Sequence, residues 1–345
     1  MDNVNYHPRM TAALDRAGLL AGEPFVLVDV GCSGGIDPVW RSFGTHFRAF
    51  GLDPDIAECG RLQSLETNPR VRYYPTPVGL PPESEFLQAK AAYENAHPPY
   101  GHSVMGRSSA VDPRFRAPSA VAGQGIPAEI AEAACIGLAE FFEREDLRSV
   151  DFVKVDTDGR DLEALLSAEP SIESTRILGF MVECMYQGSD HETSNTFHNI
   201  DRFMKRHGFM VYAMTINKYS RSVLPAPFVL SIPAQTTWGQ PVWGDVVFLR
   251  DLAAPGQSLP VSEFTVEKIL KLACLYEIFL VPDCAVELIL NCQVRIGARA
   301  DIAKLLDSLT PSLHGRRLNY RDYLGKVAKK PKTLFPGGLR SLLRF

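Results

Sequence analysis

Three groups of residues in this chain have the types and spacing to do chemistry. The first is Asp29-x-Gly31-x-x-x-Gly35, which follows the apolar run Phe25–Val30. Glycines at such a turn let backbone approach a ligand and accept positive φ. A helix starting beside them would offer free N–H groups to an anionic group. Cys32, small enough for the turn, and Ser33 complete the loop. Asp53 lies roughly 20 residues on, at the end of a second apolar run, where a carboxylate accepts hydrogen bonds from the ribose hydroxyls of an adenosine. The second group is acidic: Asp156, Asp158 and Glu183 each follow a strand-like run and would converge at one end of a parallel sheet. Crowded carboxylates raise at least one pKa, as a general base requires, and the same oxygens suit Mg²⁺. The plain alternative is that Asp158 caps a helix beginning at Gly159 while Asp156 bonds backbone. The third group is the histidines. His102, in Tyr100-Gly-His-Ser103, would be a base if its loop folds over the site, and His191 is a second candidate. A single histidine is more often structural.

Glycine spacing narrows the ligand. Counted from Gly31, a dinucleotide pattern G-x-G-x-x-G needs glycines where Ser33 and Ile36 stand, which disfavours an NAD-dependent oxidoreductase. The phosphate loop G-x-x-x-x-G-K-[ST] fails because no Lys follows. S-adenosylmethionine fits the remaining features, and a tight turn with no ligand is the bland reading.

These residues need strands and helices to hold them. Phe25–Val30, Phe47–Leu52, Val71–Tyr74, Asp151–Val155 and Arg176–Val182 read as strands, the longer ones buried on both faces. Helices are expected over Asp37–Phe43, Asp55–Glu66 (with Pro54 in its first turn), Leu162–Leu166 and Phe197–Met204. The last is ended by Gly208. This alternation predicts an α/β fold with a parallel sheet. Phe209–Met214 and Val246–Leu249 are the last strand candidates. Residues 81–128 form a Pro-rich insertion, a candidate lid, with a helix at Glu83–Ala92. After Pro255-Gly256, helical spacing at Ile269, Leu272, Ala273 and Tyr276 predicts a helical appendage. The division is therefore 1–250 as a nucleotide-binding domain and 251–345 as the appendage with a basic tail.

With 345 residues, 46% of them hydrophobic and 22% charged, the chain can bury a large core. A formal charge of −4 disfavours general nucleic-acid binding. Gly315 to Phe345 nevertheless holds nine Lys or Arg against one acidic residue, interleaved with Leu334, Phe335, Leu339, Leu342 and Leu343. That tail suits an anionic membrane surface or a glycolipid head group, or a solvated terminus. Seven cysteines without a C-x-x-C pair predict reduced thiols and a cytoplasmic location. Met1–Thr11 lacks a signal-peptide core.

Val28-Asp-Val-Gly-Cys-Ser-Gly-Gly35, Phe50-Gly-Leu-Asp-Pro54 and Asp151-Phe-Val-Lys-Val-Asp-Thr-Asp-Gly159, followed by Leu162-Glu163 and Leu165, resemble the FkbM family of methyltransferases. Val182-Glu183 and Gly208-Phe209 resemble its downstream pattern, so the likeness runs from about Val26 to Phe209 and toward Arg250. The family's D-V-G-x-N-x-G, F-E-P and D-F-x-K-x-D-x-E-G are met with Ser33 for Asn, Asp53 for Glu and Asp158 for Glu. The resemblance implies a doubly wound Rossmann-like methyltransferase sheet with a helical C-terminal extension. It also implies an S-adenosylmethionine-dependent O-methyltransferase acting on a hydroxyl, such as that of a sugar in a glycan, glycolipid or secondary metabolite. Asp29, Gly31, Cys32, Ser33, Gly35 and Asp53 would hold the cofactor. Asp156 and Glu183, backed by Asp158 and His102, would face the acceptor. A carboxylate acceptor and a non-catalytic adenosine-binding scaffold stay open as alternatives.

Overall fold

The run FVLVDV at Phe25–Val30 is buried along its whole length, which only a strand flanked on both sides and covered on both faces can achieve. The computed structural model describes residues 4–97, 135–219, 235–254, 259–313 and 315–329. Helix α1 (Arg9–Arg16) precedes β1 (Phe25–Val30), a 3₁₀ helix (Pro38–His46), β2 (Phe47–Asp53), α2 (Ile56–Leu65), β3 (Val71–Pro75) and α3 (Glu85–Ala96). Next come α4 (Leu138–Arg144), β4 (Phe152–Val155), α5 (Asp161–Ala168), β5 (Gly179–Met185), α6 (Phe197–Arg206), β6 (Phe209–Met214), β7 (Asn217–Tyr219) and β8 (Gln240–Arg250). Helices α7 (Val266–Ile278), α8 (Pro282–Asn291), α9 (Gln293–Gly297), α10 (Ile302–Leu309) and α11 (Tyr320–Lys329) close the described chain.

The sheet runs β3-β2-β1-β4-β5-β8-β6, with β7 also paired to β8. β1 to β5 are parallel, and β8 enters antiparallel beside β5. This is a mixed, Rossmann-like α/β sheet with helices on both faces, so the expected parallel core gains an antiparallel edge. Several boundaries move from their sequence positions. The turn after the glycine loop is a 3₁₀ helix whose N-cap Asp37 accepts from Val39 N, with a break at Gly44. β5 starts at Gly179, because Arg176 takes a left-handed φ of 54° and turns the chain into it. β8 begins at Gln240, six residues before its apolar run. α3 begins one turn's fraction later than expected, capped by Ser84 onto Leu87 N. Of the Pro-rich stretch, residues 98–128 lie outside the described residues.

Two cores sandwich the sheet. Val26, Val28, Val30, Val153, Val155, Phe180 and Val182 face α4, α5 and α6. Phe25, Leu27, Phe47, Ala49, Phe152 and Met181 face α1, the 3₁₀ helix and α7. α7 is buried from Lys268 to Ile278, α8 packs against it, and α10 packs against α8 and α1. The helical segment after Arg250 thus supplies one layer over the sheet.

Two lysines of α7 are buried with a reason. Asp151, fully buried ahead of β4, lies 2.7 Å from Lys268 Nζ and 3.0 Å from Lys271 Nζ. Its Oδ2 also accepts from Val26 N at 2.7 Å. Lys268 donates further to the carbonyls of Val150 and Arg176, and Lys271 to that of Pro24. Burial alone would raise the Asp151 pKa, yet the two ammonium groups hold it below its ordinary value. Removing one partner of a buried ion cluster strands the others in low dielectric. Asp151→Ala should therefore cost about 3–5 kcal/mol, read as a lower urea midpoint at unchanged m-value.

Candidate functional site

Strand alternation builds this site. Along β1, Phe25, Leu27 and Asp29 share a face; along β4, Phe152 and Lys154; along β5, Met181 and Glu183. Register aligns Gly51, Asp29, Lys154 and Met181 in one row across four strands, and Glu183 with Asp245 in the row above. The face that is apolar over α7 becomes charged at the carboxyl ends of the strands. Ligands of open parallel sheets bind there.

Lys154 holds the first row together. Its ammonium is 3.3 Å from Asp29 Oδ1, 3.1 Å from Asp156 Oδ2 and 3.3 Å from the Gly31 carbonyl. Burial would lower its pKa, but Asp29 and Asp156 more than offset this and the net shift is upward. Asp29, only 2% exposed, is pushed up to about 6 by burial, against the pull of Lys154. Its Oδ1 is buried with no hydrogen bond despite the ammonium nearby. Gly31, at φ 76°, lies so close to β4 that an added Cβ would stand 1.7 Å from the Asp156 carbonyl oxygen. The expected glycine loop is therefore real, and close strand packing demands its first glycine.

The N–H groups of that loop are not free, which corrects the expectation of an anion cradle. Gly31 N and Cys32 N donate to Leu52 O, Ser33 N to Asp53 Oδ2 at 3.1 Å, and Gly34 N to Glu58 Oε1 at 3.0 Å. Gly35 N donates to Cys32 O and Ile36 N to the Tyr73 hydroxyl. A pyrophosphate would find no free backbone N–H from Gly31 to Ile36. Asp53, nearly buried, braces the loop through Ser33 and its own turn through Asp55 N. Cys32 packs against Gly51, and burial pushes its thiol far above the ordinary range. Arg61, then Gly34 N, hold the Glu58 carboxyl down to about 2.

On the acceptor side, Asp158 does not cap a helix. It is exposed, at a left-handed φ of 52°, and α5 begins at Asp161. Asp161 organises the turn instead: its carboxylate accepts from Thr157 N (2.8 Å), Thr157 Oγ1, Gly159 N and Asn195 Nδ2 (2.8 Å). Asn195 Oδ1 in turn accepts from Leu162 N, capping α5 from another loop. Burial pushes Asp161 up to about 6. Sequence reading passed over both residues, although an acid three positions past Asp158 was a visible first-turn signal. Asp245 was likewise missed, since only register places it opposite Glu183.

Glu183 is the most perturbed acid here. Burial, then the charges of Asp161, Asp156, Asp158 and Asp245, push it up to about 9. Asp158 is also raised, by burial and then by Asp156 and Asp53. Asp156, Asp158, Asp161 and Asp245 thus lie within electrostatic reach of Glu183. Among the described residues no group of three or more His, Cys, Asp or Glu is placed to hold a metal ion, and Mg²⁺ is unsupported. His191 stacks on Tyr93 of α3 at 3.9 Å and bonds Thr193 Oγ1, a structural role. His102 lies outside the described residues.

Residues 46–211 match the family model described as the Methyltransferase FkbM domain. The chain carries an FkbM methyltransferase domain. The match takes in Asp53, Asp156, Asp158 and Glu183 but begins after the glycine loop. No curated protein matches the chain. Among solved structures, the chain is similar to magnesium protoporphyrin IX methyltransferase (ChlM) from Synechocystis PCC 6803, with 9% identity, 71% of this chain and 80% of that chain covered, and a TM-score of 0.29. It is also similar to precorrin-6y C5,15-methyltransferase from Geobacter metallireducens GS-15, with 11% identity, 69% and 87% covered, and a TM-score of 0.30. Among the described residues no helix is long and apolar enough to cross a membrane.

A carboxyl whose folded pKa lies far above its unfolded value favours folding at low pH, and that advantage is lost as pH rises through the folded pKa. For Glu183 the window runs from about pH 4.5 to about 9. Glu183→Gln in this methyltransferase should therefore gain on the order of 2 kcal/mol at pH 7. It should also flatten the fall in stability between pH 5 and 9, as followed by urea titrations across that range.

Proposed function

We propose that this FkbM methyltransferase uses S-adenosylmethionine to methylate a hydroxyl oxygen, that of a sugar in a glycan, glycolipid or secondary metabolite. The observation that carries the cofactor is the donor inventory of the glycine loop: every N–H from Gly31 to Ile36 is taken, while carboxylates surround the loop. Such a site suits a ligand that brings its own donors and a positive charge, and it suits no pyrophosphate. The hydroxyl and sugar assignments rest on the family resemblance.

In this reading Gly31, Cys32, Ser33 and Gly35 shape the backbone against the cofactor, and Asp29 and Asp53 accept from its amino and hydroxyl groups. S-adenosylmethionine supplies the electrophilic methyl group, so the chain need only orient the acceptor and receive its proton. Glu183 and Asp156 stand where the acceptor hydroxyl would arrive, with Asp158 beside them. A proton-holding Glu183 becomes a base once a cation nearby draws its pKa toward neutrality.

Calorimetric titration tests the reading. S-adenosylhomocysteine should bind with measurable heat, Asp53→Ala should weaken it by tenfold or more through two lost hydrogen bonds, and NAD should give none. Heat from NAD alone would refute the cofactor assignment, and silence from both would favour a scaffold. Because the sulfonium is cationic and the thioether product is not, affinity for S-adenosylmethionine relative to S-adenosylhomocysteine should rise as Asp161 and Glu183 ionise between about pH 6 and 9. A flat ratio would separate those carboxyls from the cofactor.

A further inference from the structure

Above the Glu183–Asp245 pair the sheet continues as a polar wall made by β7 and the start of β8. Register sets Met185 opposite Trp243, Trp243 opposite Asn217, and Tyr219 opposite Gln240, while Tyr219 also bridges Gln235. Three donors of this wall are spent internally. Trp243 Nε1 donates to the Tyr219 hydroxyl at 3.0 Å, Gln235 Nε2 to Asn217 Oδ1 at 2.8 Å, and the Tyr186 hydroxyl to Thr215 O at 2.6 Å. The wall lies within electrostatic reach of the acids, since Tyr219 is raised by burial and, against its bond from Trp243, by Glu183.

Three of its acceptors are not spent. Gln235 Oε1, Thr236 Oγ1 and Gln240 Oε1 are buried with no hydrogen-bond partner, and Gln235 and Thr236 are each 3% exposed. Of the six such atoms among the described residues, three are on this short stretch. Buried oxygens without donors are costly and uncommon, so their gathering beside the carboxyl ends of the strands points to a ligand.

We propose that this wall is the acceptor-recognition surface of the methyltransferase, and that it takes a neutral, hydroxyl-rich ligand of sugar type whose O–H groups donate to Gln235 and Gln240. The proposal rests on the methyltransferase reading above. Half-buried Trp243, its indole N–H already engaged, offers an apolar flank to such a ligand. A carboxylate acceptor would bring its negative charge among Glu183, Asp245, Asp156 and Asp158. The wall therefore separates the two acceptor classes that the sequence left open.

Saturation-transfer NMR on the full chain with S-adenosylhomocysteine tests this, using methyl glucoside, methyl mannoside and methyl rhamnoside as neutral probes and glucuronate as the charged one. Neutral glycosides should give saturation signals, with glucuronate at least tenfold weaker. Gln235→Leu and Gln240→Leu should each weaken glycoside binding roughly tenfold while S-adenosylhomocysteine affinity stays unchanged. The second variant changes a half-exposed position and keeps the test clear of folding losses. Absence of signal from every neutral probe, equal binding of glucuronate, or variants that shift only the melting temperature would each overturn the proposal. Failure of S-adenosylhomocysteine itself to bind would instead refute the methyltransferase cofactor reading.

Discussion

Lys154 is the constraint on which the site depends. It stands on the central strand β4, between β1 and β5, where its stem is buried and its ammonium has nowhere to go but the carboxyl end of the sheet. There it meets Asp29, Asp156 and the Gly31 carbonyl within 3.3 Å. One cation thereby ties the first strand, the glycine turn and the turn after β4 into a single unit. Without it, Asp29 and Asp156 would repel across the same gap that Gly31 must close to within backbone contact of Asp156. In the row above, burial and the charges of Asp161, Asp156, Asp158 and Asp245 govern Glu183, which keeps its proton. The two sides of the site are thus chemically distinct: a neutralised side at the glycine loop and a proton-holding side at β5.

The other end of β4 is fastened by the opposite arrangement, one carboxylate between two ammonium groups. Asp151 receives Lys268 and Lys271 from α7, more than a hundred residues away in the chain. This keys the late helices to the sheet at one point, and hydrophobic burial of α7 does the rest. Glu277, at the far end of α7, accepts from Met10 N and Thr11 N and so caps α1 across the same layer. The strand that carries the site is therefore gripped by charge at both ends and by apolar packing between.

Much of this was legible in the linear chain. Unbroken apolar runs announce strands buried on both faces, and Gly31, Gly35 and Asp53 announce a nucleotide-type turn, because glycine's freedom and a carboxylate's acceptor capacity do not depend on distant neighbours. D-F-x-K-x-D carries its own alternation: Phe152 into the core, then Lys154 and Asp156 on the same face. Asp161, Asn195 and Asp245 were not legible, since each acts across loops or strands far apart in sequence. Asn195 caps α5 from a different loop, and Asp245 faces Glu183 only because β8 enters antiparallel.

By itself, then, the sequence determined the α/β alternation, the position of the glycine turn, the acids at the strand ends and a helical close to the chain. Those follow from local propensity, period-two burial and residue chemistry. Tertiary structure alone decided that the loop's N–H groups are already bonded, that Lys154 neutralises one side of the site, that Glu183 holds a proton, and that the late helices cover the sheet. Each of these is a matter of which groups meet in low dielectric, and only the folded register brings them together.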